Sequence, residues 1–329
     1  MIVISIIFVI VDGYTSTKLA ICLILILYRV IDNFSETFQA EFQINKRLDI
    51  AGKSMVLRNI LAIITFAIFD IITHNIIVAC TFMTIANLVV FIAYDVKQIK
   101  QFNKEKIIIK FKEAKEIIKD CMPMAIAGVL NVYVINAVKY AIDSKGDNAM
   151  QTYFNIIYMP TFVINLVSIF IVKPFVKTFG DYWNKDEHKK LFITVLKIIL
   201  VLFGVTLIIE IGCYILGVPV LSMFYGVDIS RYKVELMILI ISGLLYAICN
   251  LLFNMLGTIR KQTYISIVYI ITSIIAVIVS PILVNKYEMM GAVLANLLIM
   301  FILCTLLAIS LIIGIKKQKS KGEKTEEIL

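Results

Sequence analysis

The run CMPMAIAGVLNVYVINAVKYAID, Cys121–Asp143, decides the fold. A bilayer crossing needs about 20 mostly apolar residues, and this stretch supplies them. It carries one lysine inside, Lys139, and a short polar loop follows it. A lysine-rich segment, Lys97–Asp120, precedes it. The remaining apolar runs lie on either side of this pair.

The chain as a whole has the same character. Hydrophobic residues make up 60% of it, and mean hydropathy is +0.94. Soluble domains hold about 45–50% apolar residues and lack such long runs. In hydrocarbon each span must satisfy its own backbone, which selects helices. The runs are too continuous for alternating barrel strands. The expectation is an all-α, polytopic helical membrane protein with about ten spans. They are Met1–Val11 (partial), Leu19–Ala40, Met55–Ile72, Ile76–Tyr94, Cys121–Ile142, Thr152–Val172, Leu191–Leu216, Val234–Leu256, Thr263–Val284 and Gly291–Ile315. Met1–Val11 lacks a basic leader and a small-residue cleavage site, so it reads as the end of a helix and not as a signal peptide.

Basic residues fall on alternate connections. Four lie in 46–58, eight in 97–119, five in 173–190, two at 260–261 and five after 315. The opposite connections hold five: Lys18, Lys145, Arg231, Lys233 and Lys286. The positive-inside rule places the first set and the C-terminus in the cytoplasm. In Lys97–Asp120, Ile107, Phe111, Ala114 and Ile118 recur at helical spacing among lysines. That fits an amphipathic helix on the inner leaflet, or a solvated linker. The organisation expected is 1–96, a linker 97–120, 121–315 and a basic tail 316–329.

Several function classes drop out. Net charge is +9, but no aromatic-interleaved basic patch suggests nucleic acid. The six cysteines form no CxxC pair and read as small hydrophobes in spans. Two histidines leave no zinc constellation. No phosphate-binding glycine loop occurs, and no cofactor is expected.

Two spans carry candidate chemistry. In the second, Arg29, Asn33, Glu36, Ala40 and Gln43 share a helical face, with Asp32 at its edge. Ionised groups in a bilayer usually face a bundle interior or a water-filled cavity. The face reads either as a cavity wall offering Arg29 to an anion, or as an Arg29–Asp32/Glu36 network joining helices. In the fifth span Asn136, Lys139 and Asp143 share a face. Lys139 either binds a phosphate as a point charge or snorkels to the outer headgroups. Asn87, Asn155, Asn165, Glu210, Asn250, Asn254 and Asn296 read as links between helices. Pro123 and Pro160 are expected to break their spans.

NAVKYAID (Asn136–Asp143) resembles the end of the seventh helix of bacterial polysaccharide-export flippases, in the multidrug/oligosaccharidyl-lipid/polysaccharide exporter superfamily. MQTYFNIIYMPTFVINLVSIFIVKPFV (Met150–Val176) is similar to that family's eighth helix. DNFSETFQAEFQINKRLDIAGKSMVLRN (Asp32–Asn59) resembles its connection from fourth to fifth helix. The resemblance implies a twelve-helix, two-lobe architecture of which this chain lacks the first two helices and part of the third. It implies flipping of polyprenyl-pyrophosphate-linked oligosaccharide across the bacterial cytoplasmic membrane by alternating access. Lys139 and Arg29 would be the pyrophosphate-binding cations. The implied partners are that lipid, membrane lipids and polysaccharide-synthesis enzymes. Rival readings are a cation-coupled multidrug exporter, a non-transporting membrane partner of a synthesis complex, and an integral-membrane polymerase. The last lacks the large outer catalytic loop it would need.

Overall fold

Apolar runs become helices wherever hydropathy places them, and short capped turns join them. The computed structural model describes residues 16–45, 47–102 and 111–326. Among these the order is α1 (Ser16–Ile44), α2 (Leu48–Thr73), α3 (Ile76–Val90), a π-helical turn Phe91–Asp95, and α4 (Val96–Phe102). Then come α5 (Phe111–Ser144), α6 (Asn148–Val172), α7 (Val176–Asn184) and α8 (His188–Gly212). A second π-helical turn, Cys213–Gly217, leads to α9 (Val218–Tyr225), α10 (Lys233–Thr258) and α11 (Gln262–Glu326). No strand occurs among the described residues. The expected partial span Met1–Val11 lies outside them.

Among the described residues, seven helical stretches are long and apolar enough to cross a membrane. The last, Gln262–Ile315, has 54 residues, roughly 80 Å at helical rise against a hydrocarbon core of about 30 Å. The backbone resolves that excess by breaking at Glu288, with φ 48° and ψ −124°. The stretch therefore holds two crossings, as the charges Lys286 and Glu288 in the sequence suggest. α1 falls outside the seven because Arg29, Asp32 and Glu36 interrupt its apolar character. This is a polytopic helical membrane protein.

The outward surface agrees with that reading. Ile71, Phe170 and Ile208 are 71–75% exposed, on helices whose opposite faces pack inward. In water such side chains would form a sticky patch, whereas in a bilayer they meet lipid.

The helices fall into two compact units, Met1–Ile108 and Ile109–Leu329. Unit 1 has a small apolar core of Phe42, Ile50 and Ala51, with Phe38, Tyr94 and Ile99 against it. Its α2–α3 turn is set by His74 in the left-handed region and by Asn75, whose side chain accepts from the Ile77 amide at 3.0 Å. His74 N–H donates to the Asp70 carbonyl at 2.9 Å, so this pair closes a turn.

Unit 2 has the larger core, running from Ala127 through α6, α8 and α10 to Leu311 on α11. α6 starts on Asp147, which accepts from the Met150 amide at 2.9 Å. α6 and α10 approach closely at Gly243, where a Cβ would stand 3.1 Å from Ile164 Cδ1 and 3.4 Å from the Thr161 backbone. Small residues permit such contact between membrane helices.

The break at Glu288 depends on Gly291. A Cβ there would lie 1.9 Å from the Leu283 carbonyl oxygen. Gly291→Ala should therefore force the hairpin apart and cost about 1–3 kcal/mol. The readout is the thermal unfolding midpoint in detergent, and an unchanged midpoint would show that the hairpin has room to spare.

Two local expectations need correction. Pro123 and Pro160 do not break their spans, because each lies inside a continuous helix. A neighbouring helix reinforces the backbone at the first, where the Ser266 hydroxyl donates to the Pro123 carbonyl. Residues 111–120 of the expected linker form the first turns of α5, and 103–110 lie outside the described residues.

Candidate functional site

In unit 1 the second-span face divides. Asp32 points inward, while Arg29, Asn33 and Glu36 are exposed. Arg58, on α2, is only 3% exposed and places Nη2 3.0 Å from Asp32 Oδ1. Its Nη1 donates to the Asp32 carbonyl at 3.4 Å. Arg29, one turn from Asp32 and 60% exposed, forms an ion pair with the other carboxylate oxygen. Asp32 thus links α1 to α2 and draws in Arg29 at the surface. This is an interhelical network, and its buried cation is Arg58. Glu36 forms no ion pair among the described residues, and the Asn33 carbonyl accepts from Thr37 at 3.0 Å.

One turn along α1, the buried Ser35 hydroxyl donates to Asp95. Asp95 is fully buried and ends the π-helical turn. That turn adds a residue to the α3 repeat and carries Asp95 toward α1.

In unit 2, Lys139 is half-buried on α5. Its Nζ lies 5.0 Å from the Tyr158 ring centroid and 5.6 Å from that of Phe162. Tyr158 is buried, and the two rings meet edge to face at 5.5 Å. No carboxylate lies within ion-pair distance of Lys139 among the described residues, although Asp143 follows one turn later. Asp143 is exposed at the end of α5, and Asn136 donates to the Val132 carbonyl of its own helix at 2.9 Å. Among the described residues Asn136, Lys139 and Asp143 share no hydrogen bond or ion pair. Lys139 instead turns to two aromatic faces, an attraction of up to about 2 kcal/mol when desolvated.

The α6 face that carries these rings continues. Tyr158, Phe162, Asn165 and Ile169 recur at helical spacing. Below the rings Asn165 Oδ1 accepts from Asn250 Nδ2 at 2.6 Å, and Asn254 Nδ2 donates to the Asn250 carbonyl at 2.7 Å. The Tyr246 hydroxyl lies beside Asn131 and Asn250. Tyr269 donates to Asn131 Oδ1 at 3.1 Å. Asn165, Ser168, Tyr246, Asn250, Asn254 and Lys173 help line a cavity of about 270 Å³.

Two solved structures share this arrangement of helices. A crystal structure of MATE in the bent conformation superposes with a TM-score of 0.72 at 15% identity, over 98% of this chain and 74% of that one. The lipid II flippase MurJ, in an inward closed conformation, superposes with a TM-score of 0.57 at 18% identity, over 90% of this chain and 63% of that one. The likeness is one of fold. No family model and no curated protein sequence matches the chain.

Sequence reasoning missed four groups that the fold assembles: Arg58, Asp95, the Tyr158–Phe162 pair and the Asn131–Tyr246 link. For Arg58 a signal existed, since it lies inside the span drawn at Met55–Ile72. Asp95 depends on a π-helical turn that a 3.6-residue period does not contain. The aromatic pair and the Asn131–Tyr246 link depend on which helix lies beside α5.

Proposed function

We propose that this chain moves a polyprenyl-pyrophosphate-linked oligosaccharide between the leaflets of a bacterial cytoplasmic membrane, by alternating access. The observation that carries the reading is Lys139, a cation in an apolar helix, half-buried, with no carboxylate partner among the described residues. An intramembrane cation without a counter-ion is costly, and a binding site for an anion offsets that cost. The aromatic faces hold the amine in place without neutralising it, so its full charge remains for a phosphate oxygen. Arg29, exposed on α1 and already paired with Asp32, is a further candidate within unit 1, with Asn33 and Glu36 on the same helix. Asn136 and Asp143 flank Lys139 along α5 and complete the candidate set. The fold shared with a lipid II flippase supports a lipid-linked substrate.

A multidrug exporter would need free acids for cationic drugs. Here Asp32 is engaged by Arg58 and Arg29, and Asp95 by Ser35. Glu36 and Asp143 form no ion pair among the described residues but are exposed, whereas Lys139 is a half-buried cation without an ion-pair partner, which favours an anionic cargo. Basic connections and the tail 316–329 support a cytoplasmic C-terminus. On this reading 1–96 and 121–315 belong to the two lobes, and 97–120 joins them in sequence, its residues 111–120 continuous with α5. The test is reconstitution of the purified chain in liposomes carrying a sugar-bearing polyprenyl pyrophosphate. Transbilayer movement beyond protein-free vesicles is expected, and its absence with folded protein would refute the reading.

A further inference from the structure

The cavity between α6 and α10 stands apart from Lys139 and needs its own explanation. It is contained within unit 2. It is lined by Tyr246, Asn165, Ser168 and Asn250, of which Ser168 is fully buried, and by the exposed Asn254 and Lys173. A volume of about 270 Å³ gives room for one sugar ring. Amide side chains each offer donors and an acceptor, matching hydroxyl groups that also do both. The Asn165–Asn250 bond uses one donor and one acceptor, and Asn254 takes the Asn250 backbone carbonyl, leaving the Asn165 amide N–H groups and the Asn250 side-chain Oδ1 to serve a ligand. Tyr246 adds an aromatic body beside them, suited to the C–H face of a pyranose.

A role in helix adhesion alone explains this group poorly. One amide pair suffices for adhesion, as Asn296 and Ser242 show at 2.6 Å, fully buried elsewhere in the unit. The α6–α10 group instead keeps hydrogen-bonding capacity turned to open space. We propose that this cavity is a carbohydrate subsite that receives one sugar residue of the cargo, with an acetamido or hydroxyl group held by Asn165 and Asn250. The substrate class rests on the transport reading above, whereas the cavity's affinity for sugar does not. Along α6 the cavity begins about 10 Å from Tyr158, seven residues at helical rise. That spacing separates the sugar from a phosphate at Lys139.

The experiment is saturation-transfer NMR on the full chain in detergent, with free N,N′-diacetylchitobiose as probe at millimolar concentration. The wild-type chain should transfer saturation to the acetamido methyl protons. Asn250→Leu, and separately Asn165→Leu, should reduce the transfer to about one-tenth. Asn254→Leu guards against misfolding, because that exposed side chain bonds only its own helix; it should reduce transfer about threefold. No transfer in the wild type, or transfer unchanged in the folded Asn254 and Asn250 variants, overturns the subsite. Flipping is scored separately. A chain that binds the disaccharide through Asn250 yet flips no lipid keeps the subsite and loses the transport reading. A chain that flips lipid but binds no sugar keeps transport and loses the subsite.

Discussion

Lys139→Ala is expected to slow flipping by roughly ten- to a hundredfold while the protein still inserts and folds. The amine makes no ion pair among the described residues, so its removal leaves no carboxylate stranded. On the proposed transport reading, what disappears is a charge-assisted contact to the cargo, worth about 1.5–3 kcal/mol. Each 1.4 kcal/mol is a factor of about ten. Arginine at this position should retain part of the rate, since it keeps the charge and the stacking on Tyr158 and Phe162. Glutamine keeps polarity without charge and should behave like alanine. Flipping at the wild-type rate in the alanine variant would remove Lys139 from the site.

Asp32→Ala should damage folding more than any other single change in unit 1. Arg58 is 3% exposed, and Asp32 is its ion-pair partner. Removing one member of a buried pair leaves an uncompensated charge, at a cost of about 3–5 kcal/mol. Asp32→Asn should be nearly as harmful, because the amide cannot neutralise Arg58. Joint replacement, Asp32→Leu with Arg58→Met, should recover most of the loss, since a well-packed apolar pair substitutes for a buried ion pair. Arg29→Ala should cost at most about 1 kcal/mol, as expected for a largely exposed partner. Thermal unfolding in detergent reads all four. A drop for Arg29→Ala equal to that for Asp32→Ala would show that the surface arginine, not Arg58, carries the network.

The helical fold was legible because hydropathy is a property of local runs. Even the break at Glu288 showed itself as Lys286 and Glu288 between two apolar stretches. The prolines misled for a physical reason. Proline weakens a helix in isolation by leaving the carbonyl four residues earlier without its amide partner, yet packing within the bundle carries α5 and α6 through theirs. The site was only half legible. Lys139 and Arg29 stand out as intramembrane cations, yet their roles diverge once their partners are visible. Arg29 leans on a carboxylate, and Lys139 leans on two rings. Which residue of one helix meets which residue of another is set by packing, and no period within a single helix encodes it. The same holds for the amide cavity, where Asn165 and Asn250 read as one more interhelical link until Tyr246, Ser168 and the open volume appeared beside them.

The central claim is transport of a sugar-bearing lipid anion, and one leaflet assay tests it most directly. Liposomes are prepared with a polyprenyl-pyrophosphate disaccharide in both leaflets, and an impermeant glycosidase is added outside. In protein-free vesicles about half the sugar stays protected. With the wild-type chain, the account predicts that the protected half becomes accessible within minutes, and that Lys139→Ala largely restores protection. If the inner-leaflet sugar stays protected in the presence of folded wild-type chain, the account is contradicted.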